Sequence, residues 1–187
     1  MVRWEPDSRG RLHQAAFALY AERGFENTTV AAIAERAGLT ERTFFRHFAD
    51  KREVLFASSG ALQEALVSAV ADAPDALAPI DAAAAGLEAA AAQLPDREQA
   101  RQRQAIIAAN PELQERELIK FASLSAALAD ALRARGVADP AASLTAEVAM
   151  AVFRIAFERW IDDANERDLP ELIRESLAQL HAVTAGG

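Results

Sequence analysis

A short segment, residues 40–46, concentrates side chains whose types suit contact with nucleic acid. Its polar and charged members are Thr40, Glu41, Arg42, Thr43 and Arg46. An arginine fork fits the two acceptor atoms that guanine presents in the major groove, and a helix of ordinary width fits that groove. Residues near the N-terminal end of such a helix reach the base edges. The segment therefore indicates a helix that reads DNA.

The surrounding residues predict the elements that position this segment. Residues 29–48 read as a short helix from Val30 that ends at Gly38, followed by a second short helix from Thr40 to about Phe48. Gly38 permits the left-handed backbone that a tight interhelical turn needs. Ile33, Leu39 and Phe44 can close a small core between the two helices. This is the layout of a helix-turn-helix.

The rest of the chain is predicted to be all-α, with about nine helices. Apolar residues recur at helical spacing, alanine is abundant, and hairpin signals are missing. Gly24 is expected to end the first helix, and Asp50 with Glu53 has the spacing of a capping box that starts a long fourth helix at Lys51. Later joints are predicted at residues 73–79, 95, 110–111, 136–140 and 169–170.

The composition excludes several other kinds of site. The 187 residues contain no cysteine, which removes disulfide scaffolds, zinc fingers and thiol nucleophiles. The three histidines are scattered, and the sequence lacks a Gly-rich phosphate loop and a nucleophile elbow. We therefore expect no metal, no cofactor and no enzyme activity. No apolar run reaches the length of a transmembrane helix, so a cytoplasmic protein with no membrane contact is expected.

The charge is unevenly distributed along the chain. The formal net charge is −8, but residues 1–55 hold nine Lys and Arg against eight Asp and Glu. Residues 56–187 hold eleven against twenty. Charge is best counted by domain when partners are considered. Only the first 55 residues are therefore suited to meet a polyanion.

Residues 12–55 resemble the TetR (tetracycline repressor) family of bacterial regulators in motif order, spacing and helix lengths. The matching motifs are Gly24-Phe25, Thr28-Thr29-Val30, Ala37-Gly38-Leu39, Thr43-Phe44-Phe45-Arg46-His47-Phe48 and Lys51. The resemblance implies a helix-turn-helix DNA-binding domain over residues 1–52 and a helical effector-binding and dimerisation domain over residues 53–187. It implies base contact from Glu41, Arg42 and Arg46, although Glu41 equally suits a role in orienting Arg42.

The same resemblance implies contacts with the DNA backbone from Thr29, Thr43, Phe45, His47 and Lys51. Phe45 departs from the family, which usually has tyrosine there. The missing hydroxyl removes a phosphate hydrogen bond and leaves an apolar contact with sugar or with a thymine methyl group. Arg3 precedes the first helix, where an arm is equally suited to reach a minor groove or to be disordered.

The last two long helices carry the apolar surface expected of a dimer. In residues 141–163 one apolar face contains Leu144, Val148, Val152 and Ile155, and a second contains Met150, Phe153, Phe157 and Trp160. The last helix, near 170–184, offers Leu172, Ile173, Leu177 and Leu180. TetR relatives dimerise through their last two helices as a four-helix bundle. A homodimer reading a palindromic operator is expected, because one short helix reads too few bases.

The C-terminal region also suggests a site for a small apolar effector. Its candidate residues are Arg103, Ile107, Phe121, Leu124, Leu128, Phe153, Phe157 and Trp160, and the apolar ones each also suit a plain core role. Residues 101–113 and Trp160 resemble the mycofactocin-regulator subfamily. That likeness implies an acyl-coenzyme A effector, with Arg101 or Arg103 near its phosphates.

Two functions remain open from the sequence. The first is a TetR-type DNA-binding transcriptional regulator, a repressor released by an apolar effector. The second is a helical carrier of small molecules that does not bind DNA, and the acidic C-terminal region leaves room for it. DNA affinity that falls steeply with salt distinguishes the first from the second.

Overall fold

The computed structural model of this chain describes residues 7–94, 96–162 and 167–185. Within these ranges it contains nine α-helices and no strand, which confirms the predicted all-α class. The helices are α1 (Ser8–Arg23), α2 (Val30–Arg36), α3 (Glu41–His47), α4 (Ser59–Asp72), α5 (Pro79–Ala91), α6 (Arg97–Ala108), α7 (Pro111–Ala134), α8 (Ala141–Asp162) and α9 (Leu169–Ala185).

The chain forms two compact units. The first comprises residues up to 57 together with 102–117, and the second comprises 58–101 and 118 onward. The sequence predicted a single boundary between residues 52 and 53. The structure differs because Ile107 and Leu113, on the end of α6 and the start of α7, are fully buried in the same core as Phe44 and Phe56. The N-terminal unit is therefore discontinuous in sequence.

The predicted start of the fourth helix at Lys51 is wrong, because α4 begins at Ser59. Asp50 does act as a cap, since its Oδ1 accepts the backbone N–H groups of Arg52 at 2.8 Å and Glu53 at 3.1 Å. The element that it caps is a short 3-10 helix, Glu53–Phe56. Val54, Leu55 and Phe56 are all buried in the N-terminal core. Packing of three consecutive residues overrides the local signal for a long helix.

In the second unit, α5 packs against α4, α8 and α9, and α8 packs against α9. The approach of α5 to α4 depends on Gly86. A Cβ atom at this position would lie 2.7 Å from Val70 Cγ2 and 3.0 Å from the backbone oxygen of Leu66. Both distances are too short for ordinary contact, so glycine is needed where these helices touch.

The two apolar faces of α8 have different environments. Met150, Phe153 and Trp160 are buried in the core of the second unit, whereas Leu144 is 62% exposed and Ile155 is 46% exposed. Val152, which the sequence placed on the same face as Leu144, is buried. Residue 163, the last of the predicted segment, lies outside the described residues.

The face of α9 that the sequence assigned to the dimer is used within the subunit. Leu172, Ile173 and Leu177 are buried in the core of the second unit, and Leu180 packs against that core. Their contacts with other parts of the same chain leave them little area for a partner. Among the described residues of α9, the large apolar side chain that is exposed is that of Val183.

One stretch of the described residues, Glu53–Asp72, is long and apolar enough to cross a membrane by length and composition. It consists of the 3-10 helix and α4 with a turn between them. Leu62, Leu66 and Val70 from this stretch are buried in the core of the second unit. Because a core helix passes the same test, the stretch is a weak indication of a membrane span.

We expect Gly86→Ala to lower the free energy of unfolding by about 1–3 kcal/mol, because the added methyl group overpacks the contact between α5 and α4. Chemical denaturation monitored by circular dichroism measures the change. Gly60→Ala is the matched control, since a Cβ atom at Gly60 meets nothing within 4 Å. Equal stability of the two variants would contradict the close approach of these helices.

The Asp50 cap predicts a pH-dependent contribution to stability. Burial of Asp50 opposes its ionisation, but hydrogen bonds from Arg52 and from the backbone of Glu53 outweigh this and lower the pKa of the carboxyl group. The stabilising contribution is therefore fully present above the unfolded pKa of about 3.9, and it is lost as the pH falls from this value through the lower pKa of the folded state. Asp50→Asn should destabilise the protein at pH 7, and the difference from wild type should shrink as the pH is lowered below about 3.9. A difference that stays constant across this range would contradict the assignment.

Candidate nucleic-acid interface

The helix-turn-helix is built from two threonine caps and one glycine turn, as the sequence predicted. Thr29 Oγ1 accepts the N–H of Ala32 at 3.1 Å at the start of α2, and Thr40 Oγ1 accepts the N–H of Thr43 at 3.2 Å at the start of α3. Gly38 has φ +65°, in the left-handed region. These local interactions fix where both helices begin.

Phe44 anchors α3 to the core of the N-terminal unit. Its side chain is fully buried with Leu12, Leu19 and Ile33, and its ring lies 5.5 Å from that of Phe48. Because one side of α3 is fixed in this way, the opposite side is directed to solvent. The exposed residues of α3 are Glu41, Arg42, Phe45 and Arg46.

Arg42 and Arg46 form no hydrogen bond or ion pair within the described part of the chain. Arg36 and Arg52 of the same unit, by contrast, are engaged in ion pairs. Arg36 forms two hydrogen bonds with Glu22, at 2.9 and 2.7 Å, and Arg52 pairs with Asp50 at 2.8 Å. Two unpaired guanidinium groups four residues apart on an exposed helix face are therefore available for an external anion or acceptor.

The residues expected to contact the DNA backbone occupy different environments. Thr29 is exposed at the start of α2, while Thr43 and His47 are half-buried. The Nε2 atom of His47 lies 3.1 Å from the hydroxyl oxygen of Ser8. Sequence reasoning missed Ser8, although Asp7 before it is the helix cap that would have placed it at the start of α1.

Lys51 has internal partners that the sequence did not reveal. Its Nζ donates to the backbone carbonyls of Phe25 at 2.8 Å, Thr28 at 3.0 Å and Glu26 at 3.3 Å. The same atom lies 4.3 Å from the centre of the Phe25 ring. An ammonium group has three N–H donors, and all three have acceptors here. These contacts hold the Lys51 ammonium inside the N-terminal unit, and its expected contact with a phosphate stays a prediction.

Tyr20 fixes the backbone of Lys51 from the other side. Its hydroxyl donates to the Lys51 carbonyl at 2.6 Å. Burial, with a smaller contribution from Asp50, raises the pKa of the Tyr20 phenol, so the group stays neutral and donates. The end of α3 is thereby tied to α1. The arm with Arg3 lies outside the described residues.

The predicted effector residues are divided between the two units. Arg103 and Ile107 belong to the N-terminal unit, where Ile107 is fully buried. Arg103 donates to the Leu55 carbonyl at 2.8 Å and pairs with Glu117 at 3.1 Å. Burial lowers the pKa of Arg103, and the charge of Glu117 acts in the opposite direction. Both predicted pocket residues therefore have structural contacts within the N-terminal unit.

The other six predicted effector residues lie in one cluster in the second unit: Phe121, Leu124, Leu128, Phe153, Phe157 and Trp160. Their rings form a series, which we call the aromatic ladder (Phe121, Phe153, Phe157 and Trp160). Successive ring centres are 6.4, 6.2 and 5.8 Å apart. The guanidinium of Arg97 lies 5.8 Å from the centre of the Trp160 ring. The Trp160 end of the aromatic ladder therefore lies next to a positively charged side chain.

Comparisons with known proteins agree with this architecture. A model of the tetR family of bacterial regulatory proteins matches residues 12–58, and a model of the MftR C-terminal domain matches residues 77–185. The two matches cover the helix-turn-helix and most of the second unit.

Individual relatives are more distant. The HTH-type transcriptional regulator TcmR of Streptomyces glaucescens is 36% identical over 91 residues, which span 49% of this chain and 40% of TcmR. The match thus covers less than half the length of that relative.

Two solved structures share the fold of this chain. The SmeT–triclosan complex, of the Stenotrophomonas maltophilia repressor SmeT, has a TM-score of 0.65 at 22% identity and covers 94% of this chain and 90% of that one. FadR of Thermus thermophilus, a TetR family repressor in complex with lauroyl-CoA, has a TM-score of 0.50 at 22% identity and covers 92% of each chain. Together with the family matches and the free arginines of α3, these likenesses lead to one conclusion: the chain belongs to the TetR family of DNA-binding transcriptional regulators and carries an MftR-type C-terminal domain.

Proposed function

We propose that this protein represses transcription by binding a palindromic operator as a homodimer, and that a small apolar effector releases it. The observation that carries the DNA-binding part is the pair of unpaired, exposed arginines on α3. A side chain that has no internal partner can contact DNA without breaking a hydrogen bond or an ion pair inside the protein. The protein would act in the cytoplasm, where the operator is.

Each residue of the interface has a distinct role in this proposal. Arg42 and Arg46 contact guanine edges, and Glu41 either accepts a hydrogen bond from a base or orients Arg42. Thr29, Thr43 and His47 contact the DNA backbone. Lys51 acts as a positioning residue, because its donors hold the loop that precedes α2.

The exposed stripe of α8 supports the homodimer. Leu144, Val148 and Ile155 are exposed apolar residues at positions i, i+4 and i+11, and therefore share one side of the helix. Dimers are typical of the TetR family, and a self-complementary apolar stripe suits a two-fold interface. We therefore assign this stripe, rather than the buried face of α9, to the partner subunit.

The aromatic ladder supports an apolar and elongated effector. Its four rings are consecutive in space, and Phe121 and Phe157 are only partly buried. The two related structures are complexes, of SmeT with triclosan and of FadR with lauroyl-CoA. Both ligands are largely apolar, so an acyl chain along the ladder is a reasonable fit.

Two arginines of the second unit suit the polar end of such an effector. Arg97 lies over Trp160, and the Nε atom of Arg101 donates to the carbonyl of Ile161 at 2.7 Å. Arg101 also pairs with Glu98 at 3.0 Å on the protein surface. Phosphate groups of coenzyme A would replace these contacts of Arg97 and Arg101. Arg101, and not Arg103, is therefore the arginine of the predicted pair that suits this site.

We predict that Arg42→Ala relaxes base preference and weakens binding to the preferred duplex by about 1–3 kcal/mol. Fluorescence anisotropy measures this with a duplex that the wild-type protein has selected from a randomised library. Arg23→Ala is the matched control, because Arg23 is an exposed arginine of the same unit that lies outside α3. The assignment of α3 is wrong if Arg42→Ala and Arg23→Ala have the same effect.

Failure of the wild-type protein to bind any duplex, even at low salt, would support the carrier function instead. In that case the aromatic ladder would still bind apolar molecules. Binding that falls by a factor of about 10³–10⁵ between 50 and 200 mM salt is expected for a regulator with six to ten phosphate contacts.

The dimer proposal predicts that Leu144→Glu converts a dimer into a monomer at micromolar concentration, because a charge would be buried in the interface. Sedimentation velocity or light scattering gives the mass. Leu77→Glu is the control, since Leu77 is a partly exposed leucine in the α4–α5 connection. A wild-type protein that is monomeric at this concentration would contradict the proposal.

The effector proposal predicts that lauroyl-CoA releases the protein from its selected duplex, while free coenzyme A does not. Phe157→Ala should raise the required concentration of lauroyl-CoA about tenfold, because it removes one of the two inner rings of the ladder. Anisotropy at fixed duplex concentration measures release. Release by coenzyme A alone would show that the acyl chain is not needed, and would contradict an effector site on the ladder.

A further inference from the structure

Phe45 lies inside the base-reading face of α3, between residues that face the groove. Successive residues of an α-helix are rotated by about 100°. Relative to Arg42, Glu41 then lies at about −100°, Phe45 at about −60° and Arg46 at about +40°. These four exposed residues form one continuous arc of about 140°. Phe45 is bracketed by Glu41 and Arg42 within this arc.

The half-buried residues of α3 lie outside this arc. Thr43 falls at about +100° and His47 at about +140° from Arg42. His47 is further engaged by Ser8 at the start of α1. These two residues lie beyond Arg46, whereas Phe45 lies between Glu41 and Arg42, the residues that we propose approach base edges.

The Phe45 ring is held in place although 55% of it is exposed. It meets the fully buried Phe44 ring edge-on, with centres 5.5 Å apart and planes at 84°. Phe44 in turn contacts Phe48 in the core. The structure thus presents a fixed apolar surface to solvent, next to two unpaired guanidinium groups.

We propose that Phe45 reads the C5-methyl group of a thymine that neighbours the bases contacted by Arg42 and Arg46. A phenylalanine ring can neither donate nor accept a hydrogen bond in the ordinary sense. The thymine methyl is the apolar group on base edges in the major groove, and phenylalanine is among the side chains suited to contact it. This inference rests on the proposed function, because it requires α3 to enter the groove.

The test uses a duplex that the wild-type protein has selected from a randomised library. Each thymine of one half-site is replaced in turn by deoxyuridine, which removes the methyl group and keeps every hydrogen-bonding atom. At one position we expect about fourfold weaker binding by the wild-type protein, and about fifteenfold weaker binding when both half-sites carry the change. Phe45→Ala should bind the thymine and deoxyuridine duplexes equally.

Two further variants separate methyl recognition from general damage. Phe45→Leu keeps an apolar side chain and should retain part of the preference for thymine. Glu35→Ala, an exposed change on α2, should retain all of it. Both changes are on the protein surface, so the variants should remain folded.

Three results would overturn the inference. Wild-type binding that is unchanged by deoxyuridine at every position would show that no methyl group is read. A loss that is as large in Phe45→Ala as in the wild type would assign the methyl contact to another residue. Failure to select any duplex would overturn the DNA-binding function itself, and is thereby distinguished from the first two results.

Discussion

The Lys51 ammonium group donates hydrogen bonds to three backbone carbonyls, and these bonds hold the N-terminal unit together. These carbonyls belong to Phe25, Glu26 and Thr28, in the loop that leads to the Thr29 cap of α2. Tyr20, on α1, donates to the Lys51 carbonyl. The segment after α3 is therefore bound both to α1 and to the loop that follows α1. The basic residues Lys51, Arg42 and Arg46 therefore fall into two groups. Lys51 has internal acceptors, whereas Arg42 and Arg46 have none among the described residues and are the side chains that we propose contact DNA.

Local signals in the sequence were sufficient for the helix-turn-helix. Thr29, Thr40 and Gly38 determine where α2 and α3 begin and how the chain turns, and each acts within a few residues of itself. Long-range contacts were not predictable in this way. Lys51 meets carbonyls more than twenty residues away, and the burial of Ile107 in the N-terminal core has no signal near it in sequence. The buried face of α9 was visible as apolar, but a pattern of apolar residues does not say whether its partner is the same chain or another.

Helix α8 has a part in both proposed activities of the second unit. Phe153, Phe157 and Trp160 contribute to the aromatic ladder, and Leu144, Val148 and Ile155 form the stripe assigned to the partner subunit. Both sets lie on one continuous helix of 22 residues. A ligand that displaces α8 would therefore change subunit pairing as well. Close packing of α5 at Gly86 limits how the neighbouring helices can adjust.

The central claim is that Lys51 bonds inside the protein, whereas Arg42 and Arg46 contact DNA. The most direct test is the salt dependence of the DNA affinity of Lys51→Met. The variant should melt at a lower temperature than the wild type, and binding is compared at a temperature where both are folded. The account predicts the same slope of log affinity against log salt for both proteins, because Lys51 meets no phosphate. A slope reduced by about 0.9, the value of one phosphate contact, would show that Lys51 does bind the DNA backbone and would contradict the account.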